Sequence, residues 1–241
     1  MGRHILSSVV LLLLSAICFA ANDPQPWELE HFKASASNLY QAAAAVPAAP
    51  GVDVVVLREE QTSVFEADGR STSTYYLVFK VLTQRGAEDW ADVSLGWEPW
   101  HEEHPSINAR VITPDQVEHV LDVKTIEDAP ARAQDKIYSD RRMLRAPLPA
   151  MAPGAVIEEE FVNKESAPLF GAGTVDEFYI GRRVPVRQAH LVLDAPASLA
   201  LQYKLEALPD LKPRSTPCTV RADDCEGRGG LPPVPGDRRR R

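Results

Sequence analysis

The residues with the clearest potential for chemistry lie at positions 101–104, where the sequence is His-Glu-Glu-His. Histidine and carboxylate side chains are common zinc ligands, and zinc proteases carry H-E-x-x-H on a helix so that both histidines share one face. Here His101 and His104 are three positions apart and lie between Pro99 and Pro105. This spacing favours a short loop, so we predict no metal site and rank a metallohydrolase using His101, Glu102 and His104 last.

Three tryptophans, Trp90, Trp97 and Trp100, lie within eleven residues before the His-Glu-Glu-His motif. Exposed aromatic rings can form a platform that binds sugar or peptide, but tryptophan also fills protein cores. The core interpretation is favoured. A stand-alone glycan- or peptide-binding module that uses these three rings as an aromatic patch is the alternative.

The remaining polar motifs do not predict catalysis. Glu158, Glu159 and Glu160 are consecutive, and paired carboxylates can perform acid–base hydrolysis. In a strand, alternate side chains point to opposite faces, so Glu158 and Glu160 share one face, which we expect to be exposed to solvent. Ser139 lacks the surrounding Gly-x-Ser-x-Gly elbow of hydrolases, and the sequence contains no P-loop or dinucleotide fingerprint. We therefore predict no catalytic residue and no cofactor.

The composition is that of a globular protein. The chain has 241 residues, of which 44% are apolar and 25% charged, which excludes wholesale disorder, collagen and coiled coil. Its 20 prolines argue against a helical bundle, because proline breaks helix interiors. Its formal net charge of −8 argues against nucleic acid as a partner, since an acidic chain repels phosphate groups.

Residues 1–20 have the pattern of a secretory signal peptide. A basic start precedes an almost wholly apolar run over residues 5–18, and the small residue Ala20 precedes the expected cleavage point. We expect the mature protein to be extracytoplasmic, either periplasmic or secreted, with no membrane span after cleavage.

Residues 21–51 are predicted to form a helical lead-in and a linker. The helical stretch is predicted to run from Pro26 to about residue 45. Proline is tolerated in the first turn of a helix, so Pro26 can begin it. A run rich in proline, alanine and glycine at 46–51 ends it.

From residue 52 the pattern predicts short strands. Residues 52–57, 62–66 and 72–82 are predicted strands, with a hairpin at Asp68-Gly69, and residues 84–86 a turn. Further strands are expected at 92–95, 107–112, 117–121, 142–145, 156–162, 177–180, 186–193 and 199–205. Many short strands separated by turn residues indicate a mainly β fold, an antiparallel β-sandwich preceded by a helix.

Several segments over residues 52–211 resemble the bacterial DUF3857 domain. In chain order they are residues 68–70 (DGR), 80–86 (KVLTQRG), 109–115 (ARVITPD), 138–142 (YSDRR), 146–154 (APLPAMAPG) and 155–161 (AVIEEEF). The sequence departs from the family pattern at Gln116, where the family usually has glycine, so we expect an altered turn there.

The resemblance implies a β-sandwich at residues 52–213 with no catalytic residues of its own. Such domains are typically exported and sit N-terminal to a transglutaminase-like, papain-type domain. The implied function is a non-catalytic accessory module, with a transglutaminase-like or protease-like domain as partner and peptide or cell-wall material as candidate ligand. The cysteine and histidine order of that catalytic domain is not found in this sequence.

Residues 214–241 are rich in proline, glycine and arginine and are predicted to be disordered. Cys218 and Cys225 could pair in an oxidising compartment, but their spacing fits no C-x-x-C motif. We expect this end to be the frame-shifted or truncated end of a longer gene. The alternative is a basic tail that docks on an anionic surface.

Overall fold

The computed structural model describes residues 24–48, 50–131, 140–170, 175, 177–179, 182–199, 202, 204 and 206. The predicted signal peptide, Ser139, Cys218, Cys225 and the predicted tail at 214–241 lie outside these residues. The described residues form nine strands: β1 (Val54–Phe65), β2 (Ser71–Val81), β3 (Asp92–Trp97), β4 (Ser106–Ile112), β5 (Glu118–Val120), β6 (Glu127–Pro130), β7 (Arg142–Pro147), β8 (Val156–Lys164) and β9 (Ala189–Asp194).

The strands form two sheets. The larger has the order β5-β4-β8-β2-β1-β9, and the smaller has the order β3-β7-β6. All pairings are antiparallel except that of β9, which runs parallel to β1 from the pair Glu59 and Ala189 onward. The predicted mainly β, largely antiparallel two-sheet fold is confirmed.

The hairpin between β1 and β2 is the longest antiparallel pairing in the larger sheet. Gly69 has a φ of 91°, the left-handed region that glycine adopts without strain, and Glu66 and Arg70 close the turn through their backbones. Residues 52–57 and 62–66 were predicted as separate strands, but β1 is continuous. The pairing of β1 with β2 shifts register between Val56 and Arg58, and the strand continues on both sides of this shift.

The principal core lies between the two sheets. Strand β2 contributes Leu77, Phe79 and Val81 from one face, as its alternation predicts. The facing strands of the smaller sheet contribute Val93 and Leu144. Because both sheets present apolar side chains to each other, burial of this layer holds the sandwich together.

A second apolar layer covers the opposite face of the larger sheet. Residues 24–46, the N-terminal segment, contribute Trp27 and Leu39, which pack against Tyr76 and Val78 from the other face of β2. Lys80 on this face donates hydrogen bonds from Nζ to the carbonyls of residues 43 and 46, at the end of helix α1 (Ala36–Ala45). The central strands are therefore buried on both faces.

The prediction of a single helix from Pro26 to about residue 45 is wrong. A short 3₁₀ turn at Pro26–Glu28 is separated from α1 by an irregular stretch in which Phe32 has a φ of 59°. The Ser35 hydroxyl then caps α1 by accepting the Asn38 N–H. In the intervening stretch the Phe32 N–H donates to the Glu158 side chain at 2.7 Å and the Ala34 carbonyl accepts Arg110 Nη2 at 2.8 Å, so these two backbone groups bond to the sheet.

Three further local predictions need correction. Residues 84–86 were predicted as a turn but begin a short helix, α2 (Gln84–Asp89), because the Thr83 hydroxyl accepts the Gly86 N–H and so caps it. Strand β6 was not predicted, since its four exposed residues carry no apolar pattern. Residues 177–179 of a predicted strand lie outside any strand.

Candidate functional site

The structure places the three predicted tryptophans in different surroundings. Trp90 is partly buried against the core, with its ring centroid 4.7 Å from that of Phe79. Trp97 is only 8% exposed, and its indole N–H donates to Asp128 Oδ1 at 3.4 Å. Trp100 is 53% exposed. Of the three rings, only that of Trp100 offers most of its surface to a ligand, and the aromatic patch stays a prediction.

A polar cavity of about 240 Å³ lies beside Trp97, where β3 ends. We name it the Glu98–Glu165 cavity after two of its carboxylates. Its polar lining consists of Glu98, His101, Glu102, Arg141 and Glu165. The cavity therefore collects three acidic side chains and one basic side chain around a histidine.

Main-chain hydrogen bonds fix the turn that carries His101 into this cavity. The Glu98 carbonyl accepts the N–H groups of His101 at 3.2 Å and Glu102 at 2.9 Å. Glu102 forms an isolated antiparallel bridge with Glu165, which directly follows β8, and the His101 carbonyl accepts the Ser166 N–H at 2.7 Å. The turn is thus tied to the end of β8, so residues far apart in sequence meet at one place.

His101 is 5% exposed and lies between two carboxylates. Its Nε2 is 3.7 Å from Glu98 Oε2, and its Nδ1 is 3.8 Å from Glu165 Oε1. Both distances exceed the length of a hydrogen bond. Within the part of the chain that the structure describes, Nδ1 has no hydrogen-bond partner. Such a buried polar atom calls for an explanation.

The two histidines of the 101–104 motif do not act together. His104 has a side chain 60% exposed and is directed at Asp128, with 3.6 Å between Nε2 and Oδ2. Across the described ranges, no group of three or more His, Cys, Asp or Glu side chains could hold a metal ion. Residues 101–104 form no helix, as predicted.

A second polar cluster, which the sequence did not predict, lies between the larger sheet and the N-terminal segment. Glu158 is 1% exposed, so the expectation that its face is open to solvent is wrong. Its Oε2 accepts Arg110 Nε at 2.7 Å, and its Oε1 accepts the Phe32 N–H at 2.7 Å and the Tyr76 hydroxyl. Burial, reinforced by the Glu158 charge, raises the pKa of Tyr76.

His31 extends this cluster toward the surface. Its ring stacks on Tyr76 with centroids 3.7 Å apart, and its Nδ1 is 2.6 Å from Glu160 Oε2. Burial opposes the imidazolium, but hydrogen bonds with Glu60 and Glu160 outweigh it and raise the pKa of His31. The hydrogen bond from His31, assisted by Arg58, lowers the pKa of Glu60 to about 2.

Glu159 lies on the opposite face of β8, with Ile157 and Phe161, and is 7% exposed. Burial raises the pKa of its carboxyl to about 8, although the Arg182 charge opposes the shift. The burial of these glutamates could have been predicted from the apolar residues that flank them in sequence, because such residues are typical of a strand buried on both faces.

The turn at Gln116 places a residue with a side chain in the left-handed region of the backbone. Gln116 has a φ of 64°, and its N–H donates to the Thr113 carbonyl at 2.7 Å. Its side-chain Oε1 accepts the Ser37 hydroxyl at 2.6 Å, which links the turn to α1. Gln116 therefore adopts a backbone conformation that favours glycine, and the expected difference from the family's turn stays a prediction.

The fold is a β-sandwich module with a helical cover on one outer face. The family model DUF3857, described as a domain of unknown function with a solved structure, matches residues 67–224. The chain belongs to the DUF3857 family. No curated protein matches the sequence.

One of the similar solved structures is a crystal structure of a "putative protease" from Parabacteroides distasonis ATCC 8503. It has a TM-score of 0.55 and 11% sequence identity, and the match covers 60% of this chain. The chain spans 29% of the length of that protein. At this identity the likeness shows a common fold. Separately, no helix in the described ranges is long and apolar enough to cross a membrane.

Proposed function

We propose that this protein is a non-catalytic, extracytoplasmic β-sandwich module that assists a transglutaminase-like or protease-like domain, by docking to it or by presenting its substrate. Membership of the DUF3857 family is the observation that carries this proposal. The sequence resemblance associates such domains with papain-type partners. The larger protein from Parabacteroides supports it, because the sandwich corresponds to 29% of a chain named for protease activity.

A surface suited to a partner lies at the β5 edge of the larger sheet. Val117, Val120 and Val123, the valine edge, are 47%, 65% and 65% exposed. Among the described strands, β5 is terminal in its sheet, so within this part of the chain one side of its backbone has no partner strand. Exposed apolar side chains beside an open strand are typical of interaction surfaces.

Export is proposed from residues 1–20, whose basic start, apolar run and small residue before the cleavage point fit a signal peptide. Fractionation of the native host, followed by mass determination of the protein, tests this part. A mature protein that begins at Ala21 outside the cytoplasm is expected. An uncleaved cytoplasmic protein would contradict it.

Site-specific photocrosslinking tests the docking role. A photoreactive amino acid replaces Val120, and a matched control replaces Glu88, which is exposed on α2. The expected product from position 120, absent from position 88, is a covalent adduct with a protein that carries a transglutaminase-like or protease-like domain. Equal labelling from both positions, or adducts that never contain such a domain, would refute the proposal.

A further inference from the structure

We infer that the Glu98–Glu165 cavity is a binding site for a protonated primary amine, carried by a lysine side chain or by the amino terminus of a peptide. This inference goes beyond the proposed function, because it assigns a ligand chemistry to this chain alone. It rests on the charge of the cavity, the unused hydrogen-bonding capacity of its side chains and its aromatic border.

The charge of the cavity favours a cation. Glu98, Glu102 and Glu165 contribute three carboxylates, and Arg141 offsets one of them. The three carboxylates and Arg141 together give a net charge of −2. A small cavity with this charge attracts a cation and repels phosphate and carboxylate ligands.

The carboxylates differ in how much of their hydrogen-bonding capacity is used. Glu102 accepts the Glu98 N–H and, at 2.7 Å, the Asn163 amide. One oxygen of Glu165 accepts the Ser71 N–H at 2.6 Å. The same oxygen of Glu98 that faces His101 accepts the indole N–H of Trp100 at 2.9 Å. Within the described ranges, the second oxygens of Glu98 and Glu165 accept no hydrogen bond of normal length.

His101 provides the independent sign of a ligand. Its side chain is 7% exposed and lines the cavity, and its Nδ1 lacks a hydrogen-bond partner among the described residues. The ring nitrogens stand 3.7 and 3.8 Å from Glu98 and Glu165, too far for direct hydrogen bonds. An ammonium group carries three N–H donors, and the carboxylates that line this cavity are acceptors.

One aromatic ring lines the cavity, and a second contacts its histidine. Trp97 lines the cavity, and the ring of Trp100 packs at a tilt against the ring of His101, with centroids 4.1 Å apart. Aromatic faces attract ammonium groups and also pack against their aliphatic stems. The volume of about 240 Å³ suits an amine on a short chain rather than a large ligand.

The test is a titration of the purified chain, followed by NMR and by tryptophan fluorescence. Nα-acetyl-lysine amide supplies a side-chain amine, and glycyl-glycine amide supplies a terminal amine. Nα,Nε-diacetyl-lysine amide is the matched neutral probe. Glu98→Gln and Glu165→Gln remove the proposed ligand charges. Glu103→Gln is the control variant, since Glu103 is half-exposed, pairs with Lys164 and does not line the cavity.

Saturable binding of at least one free amine is expected, with the diacetylated probe inactive. The two cavity variants should weaken binding by about tenfold each, the usual contribution of a charge-assisted hydrogen bond. Glu103→Gln should bind as the wild type does. Comparison of the two free amines identifies the source of the ligand.

Three results would overturn the inference. They are equal binding of the diacetylated probe, wild-type affinity in both cavity variants, and no response to either amine at about 20 mM, where a 1 mM site would be nearly saturated. Glu98 is 38% exposed, so Glu98→Gln decides the matter if Glu165→Gln fails to fold. Because the titration uses this chain alone, a negative result leaves the proposed docking role untouched.

Discussion

Replacement of Glu158 by glutamine is expected to lower the free energy of unfolding by about 3 kcal/mol, the low end of the cost of removing one partner of a buried ion pair. Glu158 and Arg110 are 1% and 5% exposed, with Nη2 and Oε2 2.5 Å apart. After the change, Arg110 keeps the Ala34 carbonyl and the partly exposed Glu118 as partners. The glutamine oxygen can still accept hydrogen bonds, which keeps the loss near this lower value.

Chemical denaturation of the wild type and of the Glu158→Gln variant measures this loss. Glu118→Gln is the matched control. It removes the other carboxylate of Arg110, which is 36% exposed, and should cost less than about 1 kcal/mol. Hydrogen exchange adds a local readout, because the Phe32 N–H donates to Glu158 and should exchange faster in Glu158→Gln.

The reasoning fails if Glu158→Gln and Glu118→Gln destabilise equally, or if the Phe32 amide exchanges at the wild-type rate in both variants. Either result would show that the buried charge does not hold the N-terminal segment on the sheet.

Three further predictions concern stability. Gln116→Gly should raise the thermal midpoint and stabilise the fold by less than about 1 kcal/mol, since the relief of strain at a φ of 64° exceeds the loss of the exposed hydrogen bond from Ser37. The stabilisation from His31, measured against His31→Gln, should be complete below pH 6.5 and decline as pH rises through the raised pKa of the folded protein; an unchanged difference across this range would contradict it. Because the pKa of Glu159 is raised, the free energy of unfolding of the wild type should fall as pH rises from 4.5 to about 8. Glu159→Gln should therefore be more stable than the wild type by a few kcal/mol at pH 8 but not at pH 4.5. Denaturation at both pH values measures this difference.

The local signals that predicted the fold correctly were alternation and turn chemistry. The alternating apolar residues of β2 and the Asp68-Gly69 turn predicted a strand and a hairpin that the structure contains. Both signals act within a few residues, through the pleat of a strand and the conformational freedom of glycine. Strand β6 carries neither signal, and it was missed because only its hydrogen-bonded pairing with β7 makes it a strand.

The candidate sites depend on contacts that no local pattern encodes. The tryptophans and residues 101–104 identified the stretch that borders the Glu98–Glu165 cavity. Glu165, which completes the cavity, arrives from the end of β8 more than 60 residues later in the chain. Glu158 was expected to face solvent because its cover comes from the N-terminal segment, whose Phe32 backbone bonds to it across the sheet.

Strand periodicity, turn residues and family motifs are local properties of the chain, so they were enough to predict a mainly β domain of the DUF3857 family. Which charged groups are buried depends on the packing of the folded chain. Glu158 is covered by the N-terminal segment, Glu159 lies on the face of β8 that carries the inter-sheet core residues, and His101 lies in a turn tied to the end of β8. Each of these covers comes from a distant segment of the chain, and burial, not residue type, decides whether a polar group is a solvated surface group or part of a site.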